Sequence, residues 1–278
     1  MKKPRAAAGG AEPTDGAQSV RRALAVLRLV ASGQERGVRL TDIAVMSGLS
    51  RPTVHRLLKV LIDETAVEQD PATKHYLVGT EMSLLGLARG GRFPLRAVAE
   101  PYLQALAAEV GDTVFLSVRH GADSVCVARY LGSHPIQVLS IDVGVRRPLG
   151  GSVSGIVLLA AMNQDESREL TQTNASRLAL QKRDTSAILR EVRAARDQGH
   201  AYAAQGVMPG TSAVAVPIRD NRGHVLAAVS VAALADRLDR KRLPDVLARI
   251  KVQTERITKR HTEIAKHAAR RNSPGSGA

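Results

Sequence analysis

The sequence predicts an α+β chain of two folded parts, the second built on an antiparallel sheet. Two observations carry that reading. Between residues 18 and 79 the apolar pattern runs helix, helix, tight turn, helix, and then two short extended runs. Beyond Gly90-Gly91 apolar strand patterns return, some in hairpin pairs, with helical stretches between them, an order that suits an antiparallel sheet flanked by helices. The expected organisation is an arm at 1–17, a first domain at 18–79, a connecting helix at 80–91, a second domain at 92–270 and a tail at 271–278.

Each element has a local reason. Residues 1–17 carry Pro4, Gly9, Gly10, Pro13 and Gly16 without apolar periodicity, as a solvated arm does. Ser19 is placed to cap a first helix in which Val20, Ala23, Leu24, Leu27 and Val30 recur at helical spacing, and Gly33 ends it. Thr41 starts a second helix through Ile43, Ala44 and Met46, with Leu40 and Val45 at staple positions. Ser47-Gly48-Leu49 is a tight break. Ser50 then caps a third helix, with Pro52 tolerated in its first turn and Val54, Leu57, Leu58 and Leu61 facing inward. Val67–Gln69 and His75–Val78 flank an Asp70-Pro71 turn and read as a hairpin. Thr80–Arg89 is a Leu-rich connecting helix.

In the second part, 95–109 is helical, and Thr113–His120 and Ser124–Tyr130 alternate as strands. Ile136–Ile141 reads as another strand. Pro148–Gly155 is a Gly/Ser-rich loop running into an apolar helix at 156–161, and 184–198 is a polar helix. Ser212–Ile218 and Val225–Ala232 are strands about an Asp220–Gly223 turn, and 241–269 is a long final helix.

Composition narrows the function. The chain has 278 residues, room for two domains, and 44% are hydrophobic. With two Phe, four Tyr and no Trp, the cores must be packed mainly with Leu, Val, Ala and Ile, and base-stacking platforms for single strands are not expected. A net charge of +14 points to a polyanion, although an Arg-favouring genome gives the same bias. The single cysteine excludes a disulfide framework and a thiolate-rich zinc site, and the eight histidines lack ligand spacing. No metal or cofactor is expected: there is no P-loop, no G-x-G-x-x-G and no H-E-x-x-H. No leader pattern and no apolar run of membrane length occurs, so a cytoplasmic protein is expected.

Thr41–Asp63 is the most informative stretch. The major groove is wide enough for one α-helix, and a helix-turn-helix braces that helix with the one before it. With leucines inward, the third helix presents Arg51, Pro52, Thr53, His55, Arg56 and Lys59 outward. Arg51 and Arg56 suit either paired bonds to guanine or phosphate contacts. Thr53 offers a methyl to thymine or a hydroxyl to phosphate. Lys74 sits at the hairpin tip, in reach of a flanking phosphate. The hairpin makes this a winged helix-turn-helix, and double-stranded operator DNA is the expected partner.

The chain resembles the IclR family of bacterial regulators. The residues that carry the resemblance are Ser19–Leu27, Leu40–Ala44, Gly48–Ser50, Thr53–Leu58 and Tyr76–Gly79. In the second half they are Pro148–Ala160, Gly199–Tyr202 and Ala213–Ile218. The likeness spans about residues 18–260. It implies a GAF-like effector-binding domain, a homodimer or dimer of dimers, a palindromic DNA site and a small-molecule effector. Carried over by position, it places Ser152, Val153, Ser154, Ala203 (or Ala204), Ala213 and Ser230 at the effector.

The residues support a sensing site independently. The Gly150–Gly155 loop presents backbone amides at a helix N-terminus, where aligned dipoles favour an anion such as a small carboxylate. The same loop also reads as a turn that only packs helix on sheet. Where some members have an acidic residue, a cysteine and a serine, this chain has Ala203-Ala204, Ala213 and Ala232. A less polar pocket is therefore expected, with an effector that either differs or is larger and more apolar. Cys126 reads as a buried small hydrophobe, and Arg129 and Tyr130 as facing either pocket or solvent.

Two other functions have sequence support. Gly151–Gly155 approaches a serine-hydrolase elbow, but the pattern fails and no Asp/His order follows, so no enzyme is expected. A basic final helix would suit a sequence-indifferent architectural DNA binder, although Asp236, Asp239, Asp245, Glu255 and Glu263 dilute its charge.

Overall fold

The computed structural model describes residues 15–271, apart from 34–35, 88–93 and 140. Internal contacts divide the chain into two units, Met1–Gly90 and Gly91–Ala278.

The first unit is α1 (Asp15–Ser32), α2 (Leu40–Ser47), α3 (Arg51–Asp63), β1 (Val67–Gln69), β2 (Tyr76–Val78) and α4 (Thr80–Leu87). Val26, Val30, Ile43, Val54, Leu58, Val67 and Tyr76 close its core. Most of the expected arm, residues 1–14, lies outside the described residues. Its last three residues are helical, because Ala17 and Gln18 are good helix formers and extend α1 upstream. Ser19 is thus inside α1 rather than its cap. In α2 the start also moves: Arg39 takes the cap position without a capping bond from its side chain, and the Thr41 hydroxyl bonds Asp42 at 3.3 Å instead. The expected staple is not made, since Val45 is 84% exposed. Gly48 closes α2 at φ +67°, a left-handed conformation that glycine adopts without a Cβ penalty. Ser50 caps α3, its Oγ accepting from the Thr53 amide at 3.4 Å. In the hairpin, Val67 pairs with Val78 and Gln69 with Tyr76. Its turn is held by Asp70 Oδ1, which accepts from the Thr73 and Ala72 amides at 2.7 and 2.8 Å.

The second unit carries a six-stranded antiparallel sheet in the order β5-β4-β3-β8-β7-β6. Its elements are α5 (Pro94–Val110), β3 (Thr113–His120), β4 (Asp123–Tyr130), β5 (Arg146–Pro148), α6 (Val153–Ala160), α7 (Gln164–Thr173), α8 (Ala175–Leu180), α9 (Thr185–Gln198), β6 (Ala201–Ala203), β7 (Thr211–Arg219), β8 (Val225–Leu234) and α10 (Leu243–Arg271). The two faces differ in side-chain size. Val114, Leu116, Val214, Val216, Val229 and Val231 project from one face and pack with residues of α5 and α10. The other face is covered in part by α6 and α9, which meet Ala215 and Ala228. Asp112, buried at the α5–β3 junction, holds Arg237 Nε at 2.9 Å and Arg242 Nη1 at 2.7 Å.

The described residues of the expected strand at 136–141 form none. Gln137 takes over the hydrogen bonding there: its Oε1 accepts from the Thr113 hydroxyl and the Gly132 amide, and its Nε2 donates to the His134 and Gly111 carbonyls. The edge strand is instead β5, ten residues later. The apolar helix starts at Val153, earlier than expected, because Ser152 Oγ accepts from the Gly155 amide at 3.3 Å and caps it. Helices α7 and α8 have little apolar periodicity. They are set by tertiary bonds such as Asn174 Nδ2 to the Ala122 carbonyl at 2.7 Å.

Candidate functional site

On the first unit, α3 turns Val54 and Leu58 fully inward and leaves Arg51, Pro52, His55, Arg56 and Lys59 exposed. Thr53 is half-buried, its hydroxyl 2.8 Å from the Ser50 hydroxyl, so the cap engages it. Lys74 is exposed at the hairpin with φ +59°. Among the described residues every ion pair lies in the second unit, so the cations of α3 and the hairpin are matched by no carboxylate. A convex, unpaired cationic helix face of this kind fits a duplex groove.

In the second unit the sheet register explains a cavity. Ala203, Ala213 and Ala232 lie side by side across β6, β7 and β8. Two residues along, Ala215 stands beside Ser230, and Ser230 beside Phe115 of β3. A face tiled with alanine and serine leaves room beneath its covering helices. A cavity of about 360 Å³ opens there, lined by Ser152, Val153, Ser154, Ala203, Ala213 and Ser230 together with Phe115, Ile141, Thr211 and Ala232. All six residues expected from the sequence are thus brought to one place. Ser154 donates to Ser230 at 3.1 Å, while Ser152 caps α6, so both loop hydroxyls have structural partners.

The cavity also has a charged side. Arg147 of β5 and Arg183 from the α8–α9 connection also line the cavity, as do Glu191 of α9, Gln181 and Gln205. Burial pushes the Arg147 guanidinium below its ordinary pKa. Arg183 Nη2 donates to Glu191 at 2.7 Å and to the Gly150 carbonyl at 3.3 Å, and its buried Nε has no partner among the described residues. Two arginines and one carboxylate thus stand in the lining, the Arg183–Glu191 pair among them. Sequence reading missed them because they come from segments without a motif and meet only through the fold.

Cys126 is buried, and burial foremost pushes its thiol up to about 11, so it is an inert hydrophobe rather than a nucleophile. Arg129 bonds Asp142 and the Ile141 carbonyl, and Tyr130 packs with the aliphatic cluster, so neither lines the cavity.

A DNA-reading unit joined to a unit with a ligand-sized cavity defines the class of a one-chain transcription regulator. The IclR helix-turn-helix domain description matches residues 19–71, and the bacterial transcriptional regulator IclR C-terminal description matches residues 90–259. The chain is similar to the HTH-type transcriptional regulator XynR of Escherichia coli (strain K12), with 30% identity over 226 residues, 80% of this chain and 88% of that protein. It is similar to the glycerol operon regulatory protein of Streptomyces griseus at 31% over 221 residues, 80% and 86% of the two chains. Among solved structures, a putative transcriptional regulator from Rhodococcus sp. RHA1 superposes with TM-score 0.66 at 26% identity, covering 89% and 99%. An IclR homolog from Microbacterium hydrocarbonoxydans, solved with 4-hydroxybenzoate, shares the fold at TM-score 0.64 and 22% identity, covering 87% and 98%. The chain belongs to the IclR family: it is a DNA-binding transcription regulator and not an enzyme.

Among the described residues, no helix is long and apolar enough to cross a membrane.

Proposed function

We propose that this regulator reads operator DNA with α3 and changes its operator affinity when a small anionic metabolite, a carboxylate with an apolar or aromatic body, fills the cavity of the second unit. Arg51, Thr53, His55 and Arg56 supply base-edge contacts with Pro52 against the groove wall, and Lys59 and Lys74 hold phosphates. The protein acts in the cytoplasm as a homodimer or dimer of dimers on a palindromic site. The observation that supports the sensing half is the convergence of Ser152, Val153, Ser154, Ala203, Ala213 and Ser230 on one cavity whose lining also holds Arg147 and Arg183. An apolar wall with a few convergent polar groups is what a small-ligand site requires. The amides that open α6 add to the attraction for an anion.

The test has two arms. Duplexes are selected from a random pool by the full-length protein, and affinity for the winner is measured with and without a panel of aromatic and aliphatic carboxylic acids. Selection of a palindrome bound ~10³-fold more tightly than mixed sequence supports the DNA half. An unchanged affinity across the whole panel, with no thermal shift for any acid, rejects the sensing half.

A further inference from the structure

The exposed cations of the first unit extend beyond α3. Arg39 stands at the cap position of α2, where its carbonyl accepts from the Ile43 and Asp42 amides at 3.0 and 3.1 Å. Its side chain is directed to the hairpin: Arg39 Nε donates to His75 Nε2 at 3.1 Å. An arginine nitrogen only donates, so His75 Nε2 must present a lone pair. The ring proton is then on Nδ1, which donates to the Arg36 carbonyl at 2.7 Å. Both ring nitrogens are engaged, and the arrangement requires the uncharged imidazole. The backbone adds to it, because Val38 and Tyr76 exchange two bonds of 2.9 Å each, joining the entry of α2 to β2. Arg39 is therefore mounted where the helix-turn-helix and the hairpin meet.

An arginine held through Nε by a neutral acceptor keeps its whole charge, and its other donors stay available. Among the described residues no carboxylate pairs with Arg39, and Arg36 and Lys74 are exposed beside the same hairpin. A phosphodiester oxygen suits a guanidinium fixed in this way. Orienting the side chain beforehand removes a rotamer cost from the binding step.

We propose that Arg39 contacts the DNA backbone outside the recognition helix, and that His75 is the positioning residue that presents it. The proposal rests on the duplex-binding role of the first unit. It is tested with the full-length protein on its selected duplex and on a mixed-sequence duplex, by anisotropy across a salt series, after melting curves confirm folding. Arg39→Ala is expected to weaken both complexes about tenfold, and to reduce the slope of log affinity against log salt by about 0.9 for each bound copy. His75→Ala is expected to weaken binding about threefold while keeping the slope, since the charge remains and only its orientation is lost. Combined with Arg39→Ala, it should add nothing. His75→Gln, which retains an acceptor for Nε, should restore most of the loss, a rescue that a merely structural role would not give. Arg39→Gln replaces Arg39→Ala if the alanine variant melts early. An unchanged slope in a folded Arg39 variant removes the contact. An equal loss from His75→Ala with and without Arg39 removes the positioning role. Failure of the wild type to bind any duplex overturns the DNA reading as well, and is distinguishable because no variant is then needed to see it.

Discussion

Ala213→Leu is expected to stabilise the second unit and blind the regulator to its effector. Ala213 stands between Ala203 and Ala232 on the cavity wall, and the void beyond it is about 360 Å³. Leucine adds three carbons. Burying them contributes at most about 0.8 kcal/mol each, about 2.4 kcal/mol in all. Fixing the side chain costs about 0.5–1 kcal/mol, which leaves a gain near 1.5 kcal/mol. For a unit of this size about 1.5 kcal/mol corresponds to a rise of roughly 3–6 °C in Tm. Calorimetry measures the first effect, and operator affinity with and without effector measures the second. A loss of stability of about 1–3 kcal/mol would mean that the wall is close-packed and the added carbons overfill it. A normal effector response in a stabilised variant would mean that the ligand binds elsewhere. Either result refutes the reasoning.

Further outcomes are expected. Arg56→Ala should cost about 1–3 kcal/mol on the selected duplex and relax preference at one base pair if it reads a base, or lower the salt slope by about 1 if it holds a phosphate; competition binding against single-base variants separates these. Asp112→Asn leaves two guanidinium groups without their acid, and because each arginine is still about a third exposed, the loss should fall near 2–3 kcal/mol in denaturant unfolding rather than at the top of the range for buried pairs. Because burial raises the Cys126 thiol to about 11, a disulfide exchange reagent should leave native protein unlabelled from neutral to about pH 9, and label it at the rate of a free thiol in denaturant. Ser50→Ala should remove about 1 kcal/mol from the first unit by leaving the Thr53 amide without its cap, as read by thermal unfolding of the full chain.

The parts legible in the sequence were those specified locally. Ser50, Pro52 and Gly48 mark α3 and its turn by chemistry within a few residues, and the Asp70 turn marks the hairpin in the same way. The start of α2 was misplaced because a backbone carbonyl, that of Arg39, opens the helix without any capping side chain. Ile136–Ile141 alternates like a strand, but one half-buried amide, Gln137, satisfies the backbone and side chains around it, and its described residues form no ladder. The six cavity residues were reachable by position. Arg147, Arg183 and Glu191 were not, because nothing local distinguishes a lining arginine from a solvated one, and their meeting depends on where β5, α8 and α9 pack.

The sheet separates two tasks by residue size. Its valine face is bound to α5 and α10, and its alanine and serine face bounds the cavity. Because neighbouring residues of one strand point to opposite sides, Val214 can remain an anchor while Ala213 is free to vary. A lineage can therefore retune which metabolite it answers to by exchanging small residues on one surface, with little risk to the scaffold that keeps the molecule folded.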